Sequence, residues 1–343
     1  MRPQQSMDGG TERISIAEAE ALIVEALLSC GVPSVAARSV ARALVAAEAE
    51  GQSGHGFSRL ADYAAQVRSG KINPHAEVNL SAPKPAALMI DADHGFAYPA
   101  LDQAIDALAP LAASHGVATA GISRSHHCGA LSVQVARLAE KGVVGMMFAN
   151  APAAVAPWGA REPLYGTNPI AFAVPRSHGP PLVIDLSLSK VARGKVMHAR
   201  KTSQAIPEGW ALDSEGQPTT DPEAALAGTM VPIGEAKGTA LALMVEVFAA
   251  AMTGANFSTD AGSFFTATGD KPGTGQFLIA FYPPEGVGFV ERAEALLRAV
   301  EQLEGARLPG SRRAQSIERA RREGLVVPVL YLDAARKMTA ACA

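Results

Sequence analysis

Basic excess is missing from this 343-residue chain: 30 Lys and Arg stand against 33 Asp and Glu, a formal net charge of −3. Charged runs are absent apart from the arginines between Arg312 and Arg322, so nothing is available to drive phosphate-backbone binding and nucleic acid is excluded as a partner. Cysteine is scarce. Cys30, Cys128 and Cys342 are an odd number at wide spacing, which fits reduced thiols in a cytoplasm rather than a disulfide framework. Long apolar runs are lacking too. The stretch Ala240–Met252 is interrupted by Glu246 and is too short for a bilayer, and Met1–Arg13 has no hydrophobic targeting core. A soluble cytoplasmic protein with no membrane partner is expected. The common nucleotide motifs are also missing. Gly286-Val-Gly288-Phe-Val-Glu291 puts a glutamate where a dinucleotide fingerprint needs its third glycine, and there is neither a phosphate-binding G-x-x-x-x-G-K-[ST] loop nor a G-x-S-x-G nucleophile elbow.

The chain does have the material for one or two sizeable cores, with 48% hydrophobic and 18% charged residues. The first dozen residues are polar and read as a loose tail, and ordered structure is expected from Ser15. Ser15-Ile-Ala-Glu18 has capping-box spacing ahead of an Ala/Leu-rich helix that stops at Gly31. Pro33 and Ser34 open a second helix through Glu50, and Leu60–Arg68 and Ala100–Ser114 add two more, so the region up to about residue 115 reads as helical. Short β-like runs follow at Val144–Ala149, Ile170–Val174, Leu182–Asp185 and Phe277–Tyr282, set among Pro- and Gly-rich loops. Ala130–Glu140 and Thr239–Met252 are helices between them, and Thr253–Gly275 is a long loop. Glu291–Leu303 and Arg312–Arg322 bring the chain back to helix. A mixed α/β (α+β) class follows.

Four groups of residues carry chemistry. The stretch Gly51-Gln-Ser-Gly-His-Gly-Phe-Ser-Arg59 places His55 between glycines at the end of the second helix, with Arg59 four residues on. Glycine allows a close backbone approach to a small ligand, and a histidine that merely caps the preceding helix is the other reading. Ser125-His126-His127-Cys128-Gly129 invites zinc, but consecutive side chains of an extended segment point to opposite sides and do not converge on one tetrahedral ion, so no metal is expected. Gly129 and the start of the next helix instead offer backbone N–H groups to a phosphate, or form only a tight loop. Ala156-Pro-Trp-Gly159 and Pro163–Pro169 are loops fixed close to a strand. Asp185 ends an apolar strand, and Lys237 precedes an apolar helix; each is either a surface charge or a polar group at the end of a core element, where binding sites form.

Taken together, GHGFSR (54–59), SRSHHCGAL (123–131), APWG with LYGTNPIAF (156–172), VIDLSLSKVARGKV (183–196), EAKGTALALMVE (235–246) and ARLPGSRR (306–313) resemble the non-Rossmann malate/lactate dehydrogenase family of NAD(P)-dependent enzymes. The match runs from about Ser15 to Pro328, and HHCGAL with DLSLSKVARGKV is most similar to the Δ1-piperideine-2-carboxylate/Δ1-pyrroline-2-carboxylate reductases. The resemblance implies a homodimer. Each subunit would combine a helical substrate domain, residues 12–115 completed by 290–343, with a cofactor domain over 116–289 built on a largely antiparallel, non-Rossmann sheet. It implies that His55 is the proton donor, that Arg59 holds the substrate carboxylate and that Thr167 touches the substrate. Cofactor contacts would fall on His127, Cys128, Gly129, Ala130, Leu131, Asp185, Leu186, Ser187, Lys237, Pro309, Gly310, Arg312 and Arg313. Two positions depart from the family. Many members have serine directly before the histidine, where this chain has Gly54, and some have an acidic residue where it has Lys195.

The expected reaction is hydride transfer from NADPH, with NADH as the alternative carrier, to C2 of a cyclic imine whose nitrogen an acid keeps protonated, giving L-proline or L-pipecolate. Arginine pairs with a carboxylate through two parallel hydrogen bonds, and a histidine titrating near neutral pH is a suitable acid. The adjacent Arg312 and Arg313 suit the extra phosphate of NADPH, or else form a solvated helix start. The same residues would serve a 2-hydroxy-acid dehydrogenase acting on malate, lactate or ureidoglycolate. A catalytically silent ligand-binding protein is the third reading.

Overall fold

The computed structural model describes residues 10–340. Order begins at strand β1 (Thr11–Ile14), four residues ahead of Ser15, because β1 pairs with a strand from the far end of the chain. Expectations for the start of the tail and for Cys342 lie outside the described residues. Helix α1 (Ile16–Ser29) is capped as its spacing predicts: Glu18 N–H donates to Ser15 Oγ (3.2 Å) and Ser15 N–H to Glu18 Oε2 (3.0 Å), an arrangement worth about 1 kcal/mol. Helix α2 (Ser34–Ala49) follows. Two 3₁₀ turns, Ser53–His55 and Phe57–Arg59, then feed α3 (Leu60–Arg68).

The region up to residue 115 is not purely helical. Strands β2 (Asn79–Lys84) and β3 (Ala87–Asp91) precede α4 (Ala97–His115), which leads to β4 (Val117–Ser125), α5 (Leu131–Glu140), β5 (Val144–Ala149), β6 (Ile170–Val174) and β7 (Leu182–Leu186). Helix α6 (Arg193–Lys201), short strands β8 (Ala211–Leu212) and β9 (Pro218–Thr219), α7 (Pro222–Ala227) and β10 (Thr229–Met230) form an excursion with its own three-stranded sheet. Helix α8 (Ala236–Glu246) ends in a π turn, Val247–Ala251. A stretch without helix or strand leads to β11 (Thr274–Phe281), and α9 (Phe289–Glu301), α10 (Ser311–Glu323), β12 (Leu325–Pro328) and α11 (Val329–Ala340) close the chain. β12 is the partner of β1.

The main sheet has the order β2-β3-β4-β11-β5-β6-β7. It is mixed: β3 and β4, joined through α4, run parallel, and every other neighbouring pair is antiparallel. Strand alternation gives it two cores. Along β11, Leu278 and Ala280 join the large core shared with α1, α2, α4 and α5, whereas Phe277 and Ile279 pack with Phe148, Val245 and Ala249 toward α8. Phe148, Phe248 and Phe277 stack there at 4.8 and 5.3 Å between centroids. No helix among the described residues is long and apolar enough to cross a membrane.

Candidate active site

The loop after α2 is shaped by one buried carboxylate. Glu48 Oε2 accepts the N–H of Phe57 at 2.9 Å and lies where a β-carbon on Gly56 would go, so any larger residue at 56 would have to displace the Glu48 carboxylate. Gly54 is different: the space beside it is open. Burial pushes the Glu48 carboxyl above its ordinary range. Within the turn, His55 N–H donates to Gln52 O (2.8 Å), which sets the ring toward the segment following β4.

That segment supplies what orients His55. His55 Nδ1 and His127 Nε2 are 3.2 Å apart, with the two rings stacked at 5.2 Å and an interplanar angle of 10°. His127 Nδ1 lies 2.7 Å from Tyr63 Oη, which is 2.9 Å from Tyr98 Oη. Burial, with the charge of Arg59 as the next cause, pushes His55 down to about 4 and His127 well below its usual range, so both rings are neutral at pH 7. Two proton arrangements then satisfy the chain. If Tyr63 donates to His127, His127 donates to His55 and leaves the His55 proton on Nε2. If Tyr63 accepts, His55 donates from Nδ1 and its Nε2 is a bare base. Nε2, without a hydrogen bond among the described residues, is therefore the atom that can give or take a proton. Lys195, at the position where some relatives carry an acid, instead lies 6.0 Å from the ring of Trp210.

Arg59 sits one turn from His55 at the start of α3, 8% exposed. Its Nε donates to Gly54 O (2.8 Å), Asp62 approaches to only 4.0 Å, and its guanidinium carbon lies 4.6 Å from the centroid of the Phe265 ring. A buried, incompletely paired guanidinium beside a neutral imidazole is suited to a small carboxylate whose neighbouring carbon bears a hydroxyl, oxo or imino group. Phe264, next to Phe265, packs on His126 and His127 at 5.5 and 5.2 Å. His126 is buried with neither ring nitrogen partnered among the described residues; burial, Lys71 and Arg59 push it to about 3.

The expected cofactor residues fall along an adjoining line. Gly129 has φ +73°, and a β-carbon there would lie 2.8 Å from Tyr98 Oη. Cys128 is buried and its thiol is pushed up to about 12 by burial, so it stays protonated; Ala130 and Leu131 are buried beside it. The first turn of α5 is partly engaged: Ser132 N–H donates to Asp185 Oδ2 (2.9 Å), and Ser132 Oγ donates to Glu50 Oε2 (2.5 Å), which also accepts from Gln52 Nε2 (2.6 Å). Burial raises both the Asp185 and Glu50 carboxyls. Pro309 and Gly310 form the turn before α10, Gly310 at φ +77° against Val183 O. Arg313 is turned inward, donating to Val183 O (2.9 Å) and lying 3.9 Å from Glu50. Arg312 is exposed and makes no ion pair among the described residues.

Thr167, Ser187 and Lys237 share a second set of loops. Thr167 O accepts Leu188 N–H (2.8 Å) and Leu188 O accepts Ile233 N–H (2.8 Å), which brings the start of α8 and the exposed Lys237 to the end of β7; Leu186 is 49% exposed there. Ser187 Oγ is 2.7 Å from Ser189 Oγ. Glu246, which reads in the sequence as an interruption of an apolar helix, is buried and accepts from Asn168 Nδ2 (2.7 Å) and from Ser258, so it braces the loop carrying Thr167. Sequence reasoning missed Tyr63, Glu50, Glu246 and Phe265. Two of them left a signal: Tyr63 stands four residues beyond Arg59 as Arg59 stands four beyond His55, and Glu246 is a lone acid in an apolar run.

Known proteins share this sequence pattern and fold. The malate/L-lactate dehydrogenase family model matches residues 14–333. A (2R)-3-sulfolactate dehydrogenase (NADP(+)) of Chromohalobacter salexigens is 51% identical over 324 residues, 94% of this chain and 97% of that protein. A Δ1-pyrroline-2-carboxylate reductase of Ancylobacter novellus is 38% identical, over 92% of this chain and 94% of its own. The crystal structure of Δ1-piperideine-2-carboxylate reductase from Pseudomonas syringae pv. tomato superposes with a TM-score of 0.90 at 36% identity, covering 96% of this chain and all of that one. With the family model covering nearly the whole chain and relatives 38% and 51% identical to it, the chain belongs to the malate/L-lactate dehydrogenase family and is an oxidoreductase.

Proposed function

We propose that the chain is an NADP(H)-dependent dehydrogenase interconverting a small 2-hydroxy acid and its 2-keto acid, with 3-sulfolactate and 3-sulfopyruvate as the leading pair. The observation that carries the reading is the neutral His55–His127 pair beside the buried Arg59. Arg59 holds the carboxylate, Thr167 meets the rest of the substrate, and His55 Nε2 takes the hydroxyl proton in one direction and returns it in the other. A base of depressed pKa is unprotonated and ready for the hydroxy acid at neutral pH: with its Nδ1–H donating to His127, His55 takes the hydroxyl proton on Nε2 as an imidazolium and gives it back in the reverse direction. The 51% identity to an NADP(+)-dependent sulfolactate enzyme supports both the substrate class and the carrier.

His127–Leu131, Asp185–Ser187, Lys237, Pro309, Gly310, Arg312 and Arg313 would hold NADP(H), which when bound carries the hydride. The exposed cations Arg312 and Lys237 fit its phosphates, and the carboxyl of Asp185 fits a ribose hydroxyl. Residues 12–115 with 290–343 would form the substrate side and 116–289 the cofactor side of a cytoplasmic homodimer. The apolar, exposed Leu241 and Leu243 of α8 and Val247 of the π turn that follows it favour a protein partner. The test is steady-state reduction of 3-sulfopyruvate by NADPH: His55→Gln should lose ~10²–10⁴-fold in kcat with NADPH affinity kept, and near-normal turnover would defeat the reading.

The second reading is reduction of the cyclic imines Δ1-pyrroline-2-carboxylate and Δ1-piperideine-2-carboxylate. It is favoured by relatives 36–38% identical and by the TM-score of 0.90. An imine that is already protonated asks less of His55, so the same substitution should cost imine reduction less than keto-acid reduction.

A further inference from the structure

We infer that Phe265 is the positioning residue for Arg59: its ring fixes the plane in which the guanidinium meets the substrate carboxylate. The inference rests on the proposed role of Arg59. Among the described residues the Arg59 guanidinium is hydrogen-bonded through Nε, with Asp62 no nearer than 4.0 Å to Nη1, so it can still swing about the Cδ–Nε bond, and a two-point pairing with a carboxylate needs its plane set in advance. Gly54 O takes Nε, and the Phe265 ring covers one face at 4.6 Å, a cation–π contact in a buried setting.

The loop that delivers this ring has no helix or strand of its own between residues 253 and 273, yet it is clamped on both sides of Phe265. Gln66 Nε2 donates to the carbonyls of Phe264 (3.1 Å) and Thr266 (3.0 Å). Ser69 Oγ donates to Ala267 O (2.5 Å). Lys71 Nζ reaches Thr266 O (3.2 Å), Thr266 Oγ1 (3.1 Å) and Thr268 O (3.2 Å). Gln66 and Lys71 are 0% and 3% exposed, so two strongly polar side chains are kept from water and spent on this segment. All three clamps stand on or just after α3, and Arg59 is the residue that immediately precedes it. One helix thus holds the guanidinium and the ring beneath it in register.

The experiment compares Phe265→Leu, Phe265→Tyr, Arg59→Lys and the Phe265→Leu/Arg59→Lys double variant in NADPH-saturated reduction of 3-sulfopyruvate, with NADPH affinity and melting temperature measured alongside. Phe265→Leu should raise KM for the keto acid on the order of five- to tenfold, with kcat changed less and NADPH affinity unchanged. Phe265→Tyr should restore KM, and Phe265→Leu should add nothing in the Arg59→Lys background. An unchanged KM in Phe265→Leu while Arg59→Lys raises it overturns the inference and leaves the Arg59 reading standing. So does an equal further loss in the double variant, or a change confined to melting temperature. An unchanged KM in Arg59→Lys overturns the carboxylate reading itself.

Discussion

At the residue scale the proposed chemistry turns on imidazoles kept neutral by burial and by a neighbouring cation. His55 is held near 4, so in oxidation of a hydroxy acid the base form is present throughout the neutral range. The acid limb of kcat/KM should lie below pH 6.5, and a limb at or above that value would show that burial does not govern His55. Replacing His127 by Phe removes the partner of Nδ1 and lets the ring turn; kcat should fall about tenfold or more, and His127→Gln should recover part of the loss. His126 tests the same electrostatics through stability. Its folded pKa of about 3 lies below that of an unfolded histidine, so the unfolded state binds the proton first and stability is lost as pH falls through 6.5 toward 3. His126→Phe should therefore lose less melting temperature between pH 7 and pH 5 than the wild type, and parallel curves would contradict this. For the cofactor, Arg312 is the clean probe, because Arg313 also braces Val183 and Glu50. Arg312→Ala should weaken NADPH about tenfold, as loss of a charge-assisted phosphate contact does, and spare NADH; equal weakening of both would assign Arg312 to the surface.

At the element scale the long helices were legible because their apolar residues recur at helical spacing and their caps are local: the Ser15–Glu18 box formed as read. Elements whose existence depends on distant partners were not. β2 is an edge strand exposed along its length and contains Pro83, so it shows no alternation. β4, VATAGISRS, is too rich in small residues to announce itself, and β1 exists only through β12. The site divides the same way. GHGFSR displays His55 and Arg59 locally, but the contact that orients His55 spans 72 residues and is made by the tertiary fold. The glycines beside His55 are not equivalent: Gly56→Ala should drive Glu48 away from Phe57 and cost ~2 kcal/mol or more by calorimetry, while Gly54→Ala, facing open space, should cost little. Equal effects would refute the role given to Glu48.

At the scale of the whole molecule, a mixed sheet with cores on both faces fixes the strand ends from which the site is built. His126–Leu131 follow β4, Asp185 and Leu186 end β7, and Arg59 enters from the helices packed outside. Relatives of this fold include both a hydroxy-acid dehydrogenase and imine reductases, so the scaffold serves more than one class of carboxylate substrate. The exposed apolar side of α8 belongs to this scale too. Sedimentation should show a dimer, and Leu243→Glu should shift it toward monomer, whereas a monomeric wild type would leave that face unexplained. The most direct test of the whole account is a side-by-side measurement of kcat/KM with NADPH for 3-sulfopyruvate, oxaloacetate, pyruvate, Δ1-pyrroline-2-carboxylate and Δ1-piperideine-2-carboxylate. The account predicts that 3-sulfopyruvate leads and that the keto acids as a class exceed the imines; a clear preference for either imine would contradict it.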